Sequence, residues 1–237
     1  MTTARQKVVS RDEWLVARKA HLAREKEFTR LRDRLSEERR QLPWVAVEKS
    51  YVFDGPKGKE SLADLFAGRS QLLVYHFMFD PAWNEGCKSC SFWADNFQGA
   101  IVHMKHRDVT MAAVSKAPLK TLEAFKKRMG WTFTWVSSFD SDFNRDFHVS
   151  FTDEERKQGQ AFYNYEARSF PVSEAPGLSA FYKDPSGAIF HTYSCYARGL
   201  DMVNGTYHLL DLAPKGRDER DLPYTMSWVR HHDKYEG

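Results

Sequence analysis

From residue 10 to residue 42, Trp14, His21, Phe28, Leu35 and Leu42 recur at seven-residue spacing. Ala17 and Leu31 fill intermediate positions, and most of the remainder is Arg, Lys and Glu. A repeat of that length predicts one long polar helix with a narrow apolar stripe. Ser10 and Glu13 have the spacing of a capping box, and Pro43 ends the pattern because it cannot continue a helix. His21, Arg24 and Glu38 interrupt the stripe. The helix therefore reads as an arm, packed on its own chain or against a second copy, rather than as an extended coiled coil.

Beyond Pro43 the pattern becomes strand-like. Val45 and Val47, then Tyr51 and Phe53, alternate with polar residues; Gly55-Pro56-Lys57-Gly58 marks a turn, and Ser61 caps a short helical turn with Leu62, Leu65 and Phe66. QLLVYHFMF (71–79) is too continuously apolar for a half-exposed strand and predicts the middle of a covered sheet. A helix from about Cys87 to Lys105 follows, with Phe92, Ala94, Phe97, Ile101 and Met104 on its apolar side. DVTMAAVSK predicts the next buried strand, PLKTLEAFKKRMG a helix ending at Gly130, and WTFTWVSS another strand. Residues 140–177 are polar and aromatic with weak periodicity, an excursion from the core. GLSAFYKD and AIFHTYS form a hairpin across Asp184-Pro185-Ser186-Gly187, and DMVNGTYHLLDLAP closes the domain as a helix. This order predicts a three-layer α/β domain with a mixed central sheet. The expected division is a helical arm (1–43), the α/β domain (44–215, with the excursion at 140–177) and a tail (216–237).

Composition narrows the function classes. The chain is 42% hydrophobic and 14% aromatic, as a globular protein is. Its 35 basic and 32 acidic residues are interleaved and leave a net charge of only +3, which gives no face for nucleic acid. No apolar stretch approaches membrane-spanning length, and MTTARQKVVSRDEW lacks the apolar core of a signal peptide, so a cytoplasmic protein with no membrane partner is expected. Three cysteines do not build a disulfide scaffold. In a reducing compartment a close pair points to redox or metal chemistry.

That pair is Cys87 and Cys90, within NEGCKSC (84–90). Cys87 stands where a buried strand gives way to a helix, so its thiol faces unpaired backbone N–H groups and the positive end of the helix dipole. Such a setting brings a thiol from about 8.5 down to roughly 3.5–7.5. Cys90, one turn on, points to the same side and can attack a mixed disulfide formed at Cys87. Lys88 adds positive charge between them.

The stretch from Tyr51 to Cys90 resembles the entry into a thioredoxin-like fold of the thiol peroxidase and TlpA branch. More closely, SRDEWLVARKAHLAREKEFTRLRDRL, GCKSCSFWADNF and FHTYSCYARGLD are similar to a bacterial family of thioredoxin-like proteins catalogued as a domain of unknown function (number 899), over nearly the whole chain. The resemblance implies a thioredoxin-like domain and a dithiol–disulfide oxidoreductase, with Cys87 attacking and Cys90 resolving. Its partner would be a thiol or disulfide, small molecule or protein, and no cofactor is implied. Trp83, Tyr193 and Arg198 are the candidates for the substrate pocket. Gly86 stands where thioredoxins have Trp, and Lys88-Ser89 where they have Gly-Pro. In the peroxidase pattern Pro-x-x-x-Thr/Ser-x-x-Cys, counted back from Cys87, Asp80 and Asn84 hold the Pro and hydroxyl places. Pro176 is the nearest counterpart of the thioredoxin cis-proline, with Gly177 between it and the following strand.

A second dense group is HTYSCYARG (191–199), where His191, Tyr193 and Cys195 alternate and share one face of an extended strand. Cys195 reads as a third redox thiol or as part of a metal site with His191. Cys87, Cys90 and His191 together would suit copper or zinc. A histidine hydrogen-bonded within an aromatic core is the plainer reading of His191, and of His76. Arg198 pairs either with a substrate carboxylate or with Asp201. The aromatics of the excursion (Phe143, Phe147, Phe151, Phe162, Tyr163, Tyr165) either roof the cysteines or pack an extra lobe. The terminal His231, His232 and Asp233 could bind a metal, but the plainer reading is an exposed cluster with no specific role. The long helix also offers a seam for a homodimer.

Overall fold

The computed structural model describes residues 6–236. They fall into two compact units, one ending at Pro43 and the other beginning at Trp44. The first is the helix α1 (Arg11–Arg40), capped by Ser10, whose side chain accepts from the N–H of Glu13 while the Glu13 carboxylate accepts from the N–H of Ser10. Asp12 and Glu13 lie at its positive end and Arg39 and Arg40 at its negative end, each sign opposite to the dipole. None of its residues is buried, and Trp14, Phe28, Leu31 and Leu35 are exposed.

The second unit opens with β1 (Val45–Ala46), the hairpin β2 (Val52–Gly55) and β3 (Gly58–Ser61), α2 (Leu62–Leu65), β4 (Gln71–His76) and α3 (Lys88–Phe97). It continues through α4 (Ile101–Lys105), β5 (Val109–Ser115), α5 (Leu119–Arg128) and β6 (Thr134–Ser137). The excursion holds α6 (Phe143–Asp146), α7 (Asp153–Lys157) and a small hairpin, β7 (Ala161–Tyr163) and β8 (Glu166–Arg168). After it come β9 (Gly177–Lys183), β10 (Ile189–Tyr196), a 3-10 segment (Ala197–Val203) and α8 (Gly205–Leu210).

Eight strands form the main sheet in the order β1-β10-β9-β4-β5-β6-β2-β3. β4 pairs parallel with β5 and β5 with β6; β9 runs antiparallel to β4, and β10 antiparallel to β9. The succession β10-β9-β4-β5, with α3 crossing from β4 to β5, is the thioredoxin arrangement, so the thioredoxin-like mixed α/β class stands. The crossovers β4–α3–β5 and β5–α5–β6 move the same way across the sheet, and the right-handed rule puts both helices on one face. Phe92, Phe97, Leu122 and Phe125 of those helices accordingly share a core with Tyr75, Phe77 and Tyr207. On the opposite face Leu62, Leu65, Val74, Phe143 and Phe147 make a second core.

Local chemistry sets several boundaries. The predicted helix to Lys105 is broken at Gln98–Ala100, where Gly99 removes helix propensity, and resumes as α4. The predicted closing helix is a 3-10 segment followed by a short α8, because the Asn204 side chain accepts from the N–H of Tyr207 and starts a new helix there. Ser61 caps α2 with Asp64 as its reciprocal partner.

Candidate active site

The end of β4 and the loop after it carry the cysteines. Phe77 N–H donates to Val114 O at 3.0 Å and Ala117 N–H to Phe79 O at 2.8 Å, which extends the β4–β5 ladder past the named strands. The chain then turns through Asp80, whose carboxylate accepts from Ala82 N–H at 2.8 Å and from the Ser173 hydroxyl at 2.6 Å. Cys87 is the N-cap of α3. Its N–H donates to Met78 O at 3.1 Å, and its carbonyl accepts from Ser91 N–H at 2.9 Å and the Ser91 hydroxyl at 3.0 Å. The Cys87 side chain makes no capping hydrogen bond of the serine or aspartate kind, but the backbone N–H groups of Ser89 and Cys90 at the helix start favour its thiolate. Cys90 is 2% exposed, and its Sγ accepts from Met78 N–H at 3.4 Å. Cys87 is only half-buried, and Cys87, Cys90 and Cys195 are all thiols.

This geometry divides the pair electrostatically. A hydrogen bond from the Cys90 thiol, followed by the backbone N–H groups of Cys90 and Ser89 and the Ser89 hydroxyl, brings Cys87 down to about 7 against the opposing effect of burial. Burial pushes Cys90 well up, and the neighbouring Cys87 raises it further. The thiolate of the pair therefore resides on Cys87, the more accessible sulfur.

Beside Cys90 a cleft of about 300 Å³ opens on the same face of the sheet. Tyr75, Trp93, Leu200 and Tyr207 make its walls mainly apolar, and Pro176 and Met226 also line it. Trp93 Nε1 donates to Leu200 O at 2.8 Å, which ties the cysteine helix to the 3-10 segment forming the far wall. Arg198, on that segment, has a side chain 80% exposed and lines the cleft. Asp201 is held by Arg217 at 2.9 and 3.0 Å and lies 3.9 Å from Arg198, so its charge is committed mainly to Arg217.

Of the other pocket candidates, Trp83 and Tyr193 are partly buried against the core on the cysteine face but do not line this cleft. The set Cys87, Cys90 and His191 is not assembled. Pairing in the β9–β10 hairpin slips between His191 and Tyr193, and this bulge turns His191 away from the face that Tyr193 and Cys195 share. His191 packs instead against Phe147 and Phe181 on the opposite side of the sheet, with Nε2 2.7 Å from Ser194 Oγ. Among the described residues no group of three or more His, Cys, Asp or Glu is arranged to hold a metal ion. The donor set for copper or zinc therefore does not fit. His76 is a core residue, stacked on Phe143 and Phe147 and bonded through Nε2 to Ser179 Oγ at 2.8 Å. The excursion's aromatics mainly pack a lobe: Phe143 and Phe147 fill the opposite core, and Phe151 and Tyr163 pack with Tyr196 in a third. The Tyr163 hydroxyl nevertheless reaches the cleft's edge, donating to Pro176 O at 2.8 Å and accepting from Ala197 N–H at 2.9 Å.

The terminal histidines overturn the reading of an idle tail. His231 is 6% exposed, and its Nε2 donates to Gly86 O at 2.9 Å, one residue ahead of Cys87. Arg128, Glu85, Asp233 and Lys234 surround that contact as a charged cluster. His232 Nδ1 lies 2.8 Å from Asp95 Oδ1 on the cysteine helix. Only the density of charge and imidazole in VRHHDK hinted at this, because the partner lies 145 residues away in the chain.

A dithiol at the start of the first crossover helix, on this strand order, defines a thiol protein of the thioredoxin fold. The chain belongs to the bacterial family described as "Bacterial protein of unknown function (DUF899)", whose model matches residues 3–235. Among curated proteins none matches the sequence. Among solved structures the chain is similar to peroxiredoxin Q from Xanthomonas campestris, at 15% identity and TM-score 0.45, covering 68% of this chain and 89% of that one. It is also similar to peroxidoxin BcpB from Mycobacterium tuberculosis, at 11% identity and TM-score 0.46, covering 70% of this chain and 95% of that one. No helix among the described residues is long and apolar enough to cross a membrane.

Proposed function

We propose that the protein is an enzyme, a thiol–disulfide oxidoreductase, in which Cys87 attacks and Cys90 resolves. The observation that carries this reading is the placement of the half-buried Cys87 at the N-terminus of α3, one turn before a buried thiol that donates to it. In the reductive direction the Cys87 thiolate attacks one sulfur of a substrate R–S–S–R′. The substrate S–S bond breaks, R′S⁻ leaves and takes up a proton, and Cys87 is joined to R. Cys90 then gives up its proton and attacks Cys87 Sγ, the bond to R breaks, and RS⁻ leaves. Two electrons pass from the pair to the substrate, leaving a Cys87–Cys90 disulfide that a donor dithiol reduces by the same exchange. The cycle needs no cofactor, since both electrons reside in the two thiols. A reducing compartment such as the cytoplasm suits a pair kept as thiols.

The apolar cleft beside Cys90 supports a small-molecule substrate with an apolar body, and Arg198 at its edge supports an acidic group on that molecule. The unburied stripe of α1 supports a homodimer, because a second copy presents the same stripe at the same heptad spacing.

Mild oxidation followed by mass spectrometry tests the central claim. The expected result is a reversible Cys87–Cys90 disulfide, and loss of dithiol turnover in Cys87→Ser. The reading fails if Cys87 alkylates no faster at pH 6 than an ordinary thiol and no such disulfide forms.

A further inference from the structure

The peptide unit ahead of Cys87 is held from two sides. Its carbonyl, that of Gly86, accepts from His231 Nε2 at 2.9 Å, and its N–H, that of Cys87, donates to Met78 O at 3.1 Å. The peptide is planar, so fixing both polar ends fixes its plane. Because the Cys87 carbonyl is also held, by the N–H and hydroxyl of Ser91, rotation about the Cys87 N–Cα bond is fixed too, and with it the direction of Cα–Cβ. Position 86 admits no side chain that could do this instead: a Cβ there would stand 2.7 Å from the Phe77 ring and 3.0 Å from the Phe125 ring. The hold on the carbonyl must come from elsewhere in the fold, and it comes from the tail.

The state of His231 is set by its neighbours. Arg128 Nη2 lies 3.2 Å from Nδ1, and a guanidinium can only donate, so Nδ1 is bare and the proton sits on Nε2, facing the Gly86 carbonyl. Arg128 is held in turn by Asp233 at 2.7 and 3.0 Å and by Glu85 at 2.5 Å, and Lys234 closes on Glu85 at 2.7 Å. The imidazole ring sits edge-on to Phe125 at 5.3 Å. The charged and titratable groups around the imidazole are thus Glu85, Arg128, Asp233 and Lys234; those that act on the Cys87 sulfur are Cys90 and Tyr75, with Lys88 next to it in the chain.

We propose that His231 is a positioning residue for the Cys87 nucleophile: it fixes the Gly86–Cys87 peptide and so aims Cys87 Sγ at the first-turn N–H groups of α3. This rests on Cys87 being the attacking thiol.

The test compares His231→Phe, which keeps a ring against Phe125 and removes the donor, with His231→Gln, which returns an N–H near the place of Nε2. The readout is the pH profile of Cys87 alkylation by iodoacetamide in the full chain, followed by mass spectrometry. In His231→Phe the midpoint is expected to rise by about one unit, slowing reaction at pH 6 about tenfold, while His231→Gln keeps the wild-type profile. An unchanged midpoint in His231→Phe overturns the inference, and so does an equal shift in both variants, which marks a packing effect. An ordinary thiol midpoint in the wild type instead defeats the nucleophile reading itself, and the inference with it. If neither variant folds, nitrogen NMR of wild-type His231 decides: a proton on Nε2 at pH 7 supports the proposal, and the Nδ1–H tautomer, which leaves Nε2 without a proton to donate, overturns it.

Discussion

The backbone of Met78 touches both cysteines: its N–H donates to Cys90 Sγ at 3.4 Å, and its carbonyl accepts from the N–H of Cys87 at 3.1 Å. One residue of the loop after β4 thereby fixes the depth of the resolving thiol and the start of α3 together. The Cys90 thiol, held in this way, is the largest influence lowering Cys87. Replacing it by a group that cannot donate, in Cys90→Ala, should raise the Cys87 midpoint from about 7 toward the usual thiol range. At pH 6 a rise of about one unit slows alkylation about tenfold. Cys90→Ser keeps a hydroxyl donor and should retain most of the low midpoint. A Cys90→Ala protein that alkylates at the wild-type rate at pH 6 would show that the helix N–H groups act alone.

The local parts of this site were legible in the sequence, and the long-range parts were not. A continuous apolar run followed by Cys-x-x-Cys identifies strand and helix because both signals lie within about 20 residues and depend on periodicity alone. The turns at Gly55–Gly58 and Asp184–Gly187 and the caps at Ser10 and Ser61 are local in the same sense. The plainer reading of His191, a histidine hydrogen-bonded among aromatics, holds. The face it was expected to share with Tyr193 and Cys195 does not, because alternation presumes an unbroken ladder and one extra residue in β10 reverses the side chains beyond it. The aromatics of the excursion gave no clue to the core they fill, since short elements such as α6 lack a readable period. His231 acts on Gly86 across the whole domain, and no spacing rule reaches that far.

Glu174 predicts a pH dependence of stability. It is 2% exposed, accepting from the Ser150 hydroxyl at 2.5 Å and from Asn144 Nδ2 at 3.1 Å. Burial pushes its carboxyl up from 4.5 to about 7, more than those hydrogen bonds lower it. Because the folded value lies above the unfolded one, the native state binds the proton more tightly. The associated stability is present below about pH 4.5 and is lost as pH rises through about 7. The shift corresponds to about 3 kcal/mol. Urea denaturation of wild type and Glu174→Gln between pH 4.5 and 8 should diverge by that order, with the wild type losing more toward high pH. Parallel curves would remove Glu174 from the account.

Arg198 predicts a charge preference among substrates. Its guanidinium lines the cleft, with Asp201 3.9 Å away and committed chiefly to Arg217. A charge-assisted hydrogen bond to a substrate carboxylate contributes about 1.5 kcal/mol at such an edge, roughly tenfold in affinity. Arg198→Ala should raise KM about tenfold for a small apolar disulfide bearing a carboxylate and leave KM for its amide unchanged, with kcat little altered in both. Equal effects on acid and amide would point to loss of packing around the 3-10 segment.

The helix α1 predicts an assembly. Its 30 residues bury none of their side chains, yet Trp14, Phe28 and Leu35 keep the heptad spacing that a two-stranded seam requires. The acidic first turn and basic last turn already stabilise the isolated helix, so solubility alone gives no reason for an apolar stripe along it. A copy of the same helix supplies the matching stripe. Light scattering should therefore report a dimer for the full chain and a monomer after deletion of residues 1–42. The Cys87 alkylation profile should be the same in both, since every hydrogen bond described around that thiol comes from residues beyond Pro43. A monomeric full chain, or a deletion that still dimerises, would place the assembly surface elsewhere. A changed Cys87 profile would defeat the expectation that the thiol behaves independently of residues 1–42.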